Sequence, residues 1–144
     1  MNAQRDTHSK LVGYLLWIIG FTGAHRFYYG KTLTGALWFC TLGLLGLGWL
    51  IDIFLIPGMD RAADQRYTSG SIDYSVAWLL LAFFGALGIH RLYMGKITSG
   101  LILMGLSGCA MILPPMAIIV LLAYLHDLFT LNAQVDDLNR TDRR

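Results

Sequence analysis

The sequence predicts an all-α membrane protein with four transmembrane helices, arranged as two parallel helical hairpins. Of its 144 residues, 56% are hydrophobic and only 14% are charged, whereas soluble domains carry about a quarter charged residues. The charges are concentrated in the two ends and in one central segment, which leaves long apolar runs typical of membrane spans. A sixteen-residue motif also occurs twice. The net charge of +2 gives no indication of nucleic-acid binding.

The repeated motif reads GFTGAHRFYYGKTLTG at residues 20–35 and GALGIHRLYMGKITSG at residues 85–100. Four glycines, a His-Arg pair, a Tyr and a Lys keep their places at a constant offset of 65 positions. Such agreement indicates a tandem duplication. Each repeat contributes two spans, so both repeats start on the same membrane face and are related by an axis along the membrane normal.

The predicted segments follow one another along the chain with clear changes in composition. Leu11–Ala24 is a short first span that crosses the membrane only if its helix continues through Phe27-Tyr28-Tyr29 with Arg26 reaching the headgroups. Leu33–Ile56 is long enough to be the second span, and Tyr74–Ile89 is the third. The resulting organisation is a polar tail at 1–10, a first repeat at 11–56, a polar linker at 57–73, a second repeat at 74–131 and a polar tail at 132–144.

The last apolar segment, Ile97–Leu125, is longer than a bilayer needs. Along the sequence, Asp127 follows Gly100 by ten more positions than Asp52 follows Gly35 in the first repeat. Pro114 and Pro115 lie inside the segment, and each disfavours helix at the residue before it. We therefore expect the last helix to be broken at Pro114-Pro115.

The aromatic and basic residues predict an orientation. Two aromatic belts are expected, one at each membrane face, and their members are Tyr14, Trp49, Tyr74, Trp78 and Tyr124 on one side and Phe27, Tyr28, Tyr29 and Tyr93 on the other. Seven Lys and Arg lie on the side of the tails and linker and four on the side of the motif loops. The positive-inside rule then places both termini in the cytoplasm; we expect a bacterial inner membrane.

Two interpretations of the repeated loop stay open. It is either a turn whose arginines reach the interface, or a site that binds a lipid headgroup or a partner. Its candidate binding residues are His25, Arg26, Tyr28, Lys31, His90, Arg91, Tyr93 and Lys96. Its candidate turn and packing residues are Gly23, Gly30, Gly35, Gly88, Gly95 and Gly100.

Asp52 and Asp127 are predicted intramembrane acids, and a charge in that position suggests function. In a purely structural role, Asp52 could pair with Lys10 on the same side of the membrane, whereas Asp127 has only the neighbouring His126 and no evident Lys. We expect no metal site, because each repeat lacks a further ligand beside its histidine. Cys40 and Cys109 are expected to be small core residues. No nucleophile–base pair or nucleotide loop is present, so no catalytic residue and no cofactor are expected.

The motif also resembles a known family, the two-transmembrane-helix (TM-two) domain family. The resemblance covers residues 9–56 and is carried by Ser9, Lys10, Gly23, His25, Arg26, Phe27, Tyr28, Gly30, Gly35, Trp49 and Asp52. Residues 75–129 resemble a second, diverged copy, in which Leu92 replaces the Phe and Tyr124 replaces the Trp. The resemblance implies a small membrane protein. Animal relatives, with Asp-Arg-Phe in place of His25-Arg26-Phe27, are linked to signalling and phagocytosis.

The function predicted from these residues is a non-catalytic membrane protein that scaffolds or modulates a membrane assembly, with the bilayer and a membrane protein or a second copy as partners. The alternative is a small transporter or channel that uses Asp52 and Asp127. An enzyme acting on lipid is a third and weaker hypothesis.

Overall fold

A computed structural model describes residues 6–20 and 22–144. The predicted tail residues 1–5, with Arg5, and Phe21 of the predicted first span lie outside the described residues. The described chain is helical and contains no strand, which confirms the all-α class. Its helices are α1 (Lys10–Ile19), α2 (Ala24–Tyr28), α3 (Thr32–Leu45), α4 (Leu47–Arg66), α5 (Tyr74–Phe84), α6 (Ile89–Tyr93), α7 (Ile97–Ile112) and α8 (Met116–Thr141), with a 3-10 turn at Gly85–Leu87.

The chain divides into two compact units, Met1–Ser75 and Val76–Arg144. The first unit contains α1 to α4, and the second contains most of α5 together with α6 to α8. In both units a short helix carries the His-Arg pair and is followed by a pair of longer helices packed on each other. Each unit thus has the same order of elements.

In the first unit, α1 and α4 pack against each other in opposite directions. The indole nitrogens of Trp17 and Trp49 each donate to the other residue's carbonyl oxygen, at 2.7 and 2.8 Å. The two rings stack with centroids 4.4 Å apart. At the other end of α1, Lys10 Nζ lies 3.5 Å from Asp60 Oδ2. This pairing fixes the register of α1 along α4.

Two predicted continuous helices of the first repeat are interrupted. The first ends at Ile19, and the chain turns before α2 begins at Ala24, so the expected continuation through Tyr28 is wrong. The second, expected over Leu33–Ile56, is divided between α3 and α4. Its interruption is a left-handed turn that includes Gly43 and Gly46, with φ of 68° and 85°. A chain reversed in this way packs α3 on α4 and does not form one long rod.

The predicted placement of the aromatic belts at opposite faces is wrong in the first unit. The Ser9 N–H donates to the hydroxyl of Tyr28 at 2.6 Å, and His8 stacks on Tyr74 while it contacts Tyr28 edge-on. The residues before α1, the end of α2 and the start of α5 therefore meet at one end of the unit. The turn after α1 causes this, because it brings α2 back beside the start of α1.

In the second unit, the predicted break at Pro114-Pro115 is confirmed. Helix α7 ends at Ile112 and α8 begins at Met116. Relative to the first unit, α7 is two residues longer, the connection is two residues longer, and Asp127 lies six residues further into its helix than Asp52. The ten additional residues lengthen the hairpin and leave the motif end of the unit unchanged.

Among the described residues, one helix is long and apolar enough to cross a membrane by length and composition, and it is α8. The other apolar helices have 10–17 residues. Four transmembrane helices therefore remain a prediction.

The motif glycines lie at the turns and contacts around the short helices. Gly23 and Gly88 precede α2 and α6 with φ of 78° and 71°, and Gly30 and Gly95 follow these helices with φ of 75° and 76°. A Cβ on Gly88 would lie 2.9 Å from the carbonyl oxygen of Gly100, inside α7. A Cβ on Gly23 would lie 2.6 Å from the Cβ of Trp38 in α3.

Replacing Gly88 with Ala is therefore expected to destabilise the protein more than replacing Gly95 with Ala. Both changes force a side chain into the left-handed region, at a cost of about 1–2 kcal/mol. Only the change at Gly88 also meets a neighbour, since no heavy atom lies within 4 Å of a Cβ on Gly95. Thermal unfolding of the two variants in detergent measures the difference. Equal unfolding temperatures would show that the contact with α7 does not matter.

Candidate functional site

The His-Arg pairs lie on the two shortest helices, α2 and α6, which have five residues each. Such short helices have little stability of their own. A left-handed glycine starts each of them, and the interactions of the His and Arg side chains hold each against its neighbours. The arrangement of these side chains is almost the same in both units.

In the first unit, the carboxylate of Asp52 accepts hydrogen bonds from both motif residues. His25 Nε2 lies 2.7 Å from Asp52 Oδ2, and Arg26 Nε lies 2.8 Å from the same oxygen. Arg26 Nη2 donates to Asp52 Oδ1. The His25 and Asp52 side chains are fully buried and that of Arg26 is 8% exposed. Because the carboxylate can only accept, the histidine proton lies on Nε2.

In the second unit, Asp127 is held by the equivalent residues. His90 Nε2 lies 2.8 Å from Asp127 Oδ2, and Arg91 donates through Nε to Oδ2 at 2.7 Å and through Nη2 to Oδ1 at 2.9 Å. Asp127 Oδ1 is also 3.3 Å from His126 Nδ1 and 3.4 Å from Gln134 Nε2. The same three residue types therefore form a buried cluster twice, and we call each a His-Arg-Asp cluster.

Each His-Arg-Asp cluster connects a short helix to the following long helix. A bidentate arginine–carboxylate pair is geometrically specific, and breaking a buried pair by removing one partner costs about 3–5 kcal/mol. The expected pairing of Asp52 with Lys10 is wrong, because the Lys10 ammonium lies beside Asp60. The missing signal was in the repeat, since each copy holds one Arg and one Asp in otherwise apolar surroundings.

The remaining predicted loop residues have different surroundings. Tyr28 is fully buried, and its hydroxyl lies 2.8 Å from Ser75 Oγ. Lys31 is exposed at the start of α3. Tyr93 is 37% exposed. Lys96 Nζ donates to Gln134 Oε1 at 2.6 Å. The predicted binding residues thus divide into buried ones that hold the fold and accessible ones beside the helix starts.

Sequence reasoning missed a polar cluster around the start of α1. His8 is 2% exposed, and Thr7 donates through its backbone and its hydroxyl to Asp64 Oδ1, at 2.7 and 2.9 Å. Asp60 is 3% exposed. Burial raises the pKa of Asp60, and the nearby Asp64 carboxylate raises it further while Lys10 opposes the shift. No periodic pattern marks these residues, because they meet only after α1 and α4 have packed.

Neither cysteine belongs to the core of its unit. Cys40 and Cys109 are both exposed, so the expectation of core residues is wrong. They lie on the outer faces of α3 and α7, where apolar side chains are also exposed. Among the described residues, no group of three or more His, Cys, Asp or Glu side chains is placed to hold a metal ion.

Comparison with known proteins connects the two clusters to one family. A model of the TM2 domain matches residues 6–54 and again residues 71–129, so that each match contains one complete His-Arg-Asp cluster. The chain belongs to the TM2 domain family. It is accordingly a membrane protein, and the two TM2 matches agree with the two structural units.

Several TM2 domain relatives are similar over part of their length. A TM2 domain-containing protein of Dictyostelium discoideum is 45% identical over 62 residues, which are 42% of this chain and 40% of that protein. TM2 domain-containing protein 1 of Homo sapiens is 42% identical over 65 residues, 45% of this chain and 31% of that protein. The chain therefore spans less than half the length of these relatives. Both are eukaryotic, so they do not support a bacterial inner membrane. No solved structure gives a significant match.

The stability of the TM2 units is expected to depend on the carboxylates of the His-Arg-Asp clusters. Asp52→Asn removes the negative charge between a buried arginine and a buried histidine, so it should lower the free energy of unfolding by about 3–5 kcal/mol. Asp137→Asn is the matched control, because Asp137 is exposed on α8. Thermal unfolding in detergent compares the two.

A second variant separates the charge from the packing. Combining Arg26→Met with Asp52→Leu removes both members of the pair, so it should recover part of the stability that Asp52→Asn loses. Unfolding of Asp52→Asn at the temperature of Asp137→Asn would contradict a stabilising role for the cluster.

Proposed function

We propose that this TM2 domain protein is a non-catalytic integral membrane protein that scaffolds or modulates a membrane assembly, formed with a membrane protein partner or a second copy of the chain. The observation that supports this most is the use of the motif's ionisable groups. His25, Asp52, His90 and Asp127 are fully buried or nearly so and are bonded within their units. Buried side chains that are bonded within the protein stabilise the fold, and a substrate cannot reach them.

The outer faces of the helices support contact with lipid or with other helices. Large apolar side chains are exposed along α3, α4, α7 and α8. Large exposed apolar patches mark sites of contact with a membrane or with another protein. Examples that are more than half exposed are Leu33, Leu45, Phe54, Met111, Ile112 and Leu122. These side chains would face the hydrocarbon or a neighbouring helix.

We further propose that the four apolar segments of the sequence lie in the membrane and that the basic end of the first unit faces the cytoplasm. The start of α1, the loop before α3 and the end of α4 meet at that end, since a Cβ on Gly30 would contact the Tyr67 hydroxyl. The cations of these segments are Lys10, Lys31, Arg61 and Arg66. The positive-inside rule favours the cytoplasm for this end. The same rule leads us to place both termini there.

Labelling of single cysteines in sealed vesicles is expected to find residues 31 and 64 on the same side of the membrane. The variants are Lys31→Cys, Asp64→Cys and Leu45→Cys, each made after Cys40→Ala and Cys109→Ala. A membrane-impermeant maleimide should label the first two from one side and leave position 45 unlabelled in the hydrocarbon. Labelling of positions 31 and 64 from opposite sides would contradict this topology and favour two uninterrupted spans in the first repeat.

Crosslinking in native membranes tests the scaffold itself. A photoreactive side chain at Phe54, which is 84% exposed on α4, should form adducts with a membrane protein or a second copy. The same group at Ile56 is the control, since Ile56 is fully buried two positions away. Adducts at Phe54 alone support the proposal, and equal yields at the two positions contradict it.

Flux measurements on the protein reconstituted into liposomes test the alternative function, a transporter or channel. Proton or solute flux that is lost in folded Asp52→Asn and Asp127→Asn variants, with no adduct at Phe54, would replace the scaffold by a transporter.

A further inference from the structure

The two His-Arg-Asp clusters have the same bonds but different surroundings. In the first unit, the guanidinium of Arg26 lies 3.7 Å from the centre of the Trp38 ring, which covers one of its faces. At the constant offset of the repeats, the counterpart of Trp38 is Leu103. A leucine has no aromatic face to stack on a guanidinium. The Arg91 side chain is correspondingly 19% exposed, whereas that of Arg26 is 8% exposed.

The long helices also differ on the face beside the cluster. When Asp52 is aligned with Asp127, the residues one before, three after and seven after the acid follow one another at intervals of four, so they lie on one helix face beside the acid. In the first unit these are the apolar residues Ile51, Leu55 and Met59. In the second unit they are the polar residues His126, Thr130 and Gln134. The second copy has thus exchanged an apolar face for a hydrogen-bonding one.

The polar side chains of this face line a pocket of about 390 Å³ that is open to the surface. Its volume is within the range of roughly 300–1,000 Å³ found for small-molecule sites. Its lining comprises Arg91, Lys96, Ser99, His126, Asp127, Thr130 and Gln134. Gln134 connects the two sides, since it accepts from Lys96 Nζ at 2.6 Å and donates to Thr130 Oγ1 at 2.7 Å.

Donors remain available around the pocket. Arg91 uses Nε and Nη2 for Asp127, while its Nη1 group bonds to no described residue. Lys96 Nζ has three donors, and one of them is given to Gln134. The two cations face one carboxylate, so the pocket is net positive. Asp127 is the acid in its lining and is already neutralised by Arg91.

We infer that the second TM2 unit carries an anion site that takes a phosphate group of the phosphomonoester type, held by Arg91 and Lys96. The remaining Nη1 group of Arg91 and the remaining ammonium protons of Lys96 can both donate to phosphate oxygens. The phosphate belongs either to a lipid headgroup or to a soluble molecule. The lipid source rests on the membrane location proposed above, whereas the pocket itself does not.

The first unit provides the internal control. Its open pocket beside Lys31 is lined by Thr32, Thr34 and Arg66, and it includes neither Arg26 nor Asp52. It has cations but lacks the buried cluster that would fix a guanidinium in place. An anion site specific to the second unit should therefore depend on Lys96 and not on Lys31.

The test measures the binding of two probes to the purified full chain in detergent, and the probes are inorganic phosphate and a short-chain phosphatidic acid added below its critical micelle concentration. Lys96→Gln should weaken binding about tenfold, since it removes a hydrogen bond from a charged donor, and Lys31→Gln should change it less than twofold. Gln134→Met restores the residue found in the first unit and should also weaken binding. Gln134→Met leaves the Arg91–Asp127 pair in place and, of the hydrogen bonds to Asp127, removes only the long 3.4 Å one from Gln134 Nε2 to Oδ1, so it should lower the unfolding temperature far less than Asp127→Asn does.

The outcomes also identify the source of the phosphate. Binding of the short-chain phosphatidic acid alone supports the site with a lipid headgroup as its ligand, and comparable binding of inorganic phosphate supports it with a soluble ligand. Two results would overturn the proposal: no binding of either probe, or equal losses in Lys96→Gln and Lys31→Gln. If the scaffold fails while these variants differ as expected, the anion site stands alone.

Discussion

Each unit depends on a buried carboxylate that must be neutralised. The Asp52 and Asp127 side chains are almost completely buried on long helices, and a buried carboxylate without donors is unfavourable by several kcal/mol. The donors come from helices of only five residues, which are too short to be stable on their own. The ion pair therefore positions the short helix, and the short helix in turn positions the loop that leads into α3 or α7.

Close backbone approach makes this pairing possible. Gly23 and Gly88 let the chain enter the short helices in a left-handed conformation and lie against α3 and α7 without a side chain between them. A Cβ at either position would move the short helix outward. The hydrogen-bond distances of 2.7 to 2.9 Å in the clusters leave little room for such a shift. The glycines and the ion pair thus act together.

Duplication allowed the two units to diverge around a common cluster. In the first unit, Trp38 covers the arginine and apolar residues line the neighbouring helix face, so the cluster is closed. In the second unit, Leu103 and Gln134 stand at the corresponding places, and the arginine borders a polar pocket.

The sequence by itself determined the helical class, the duplication, the break at Pro114-Pro115 and the family, because these depend on composition, local backbone chemistry and a motif that repeats. It also singled out the histidines, arginines and acids, but the only partner it suggested for Asp52 was Lys10. Only the tertiary structure decided that Arg26 reaches Asp52, 26 positions away. That contact requires two chain reversals, and their direction depends on the packing of α1, α3 and α4. No periodicity in the sequence encodes that packing.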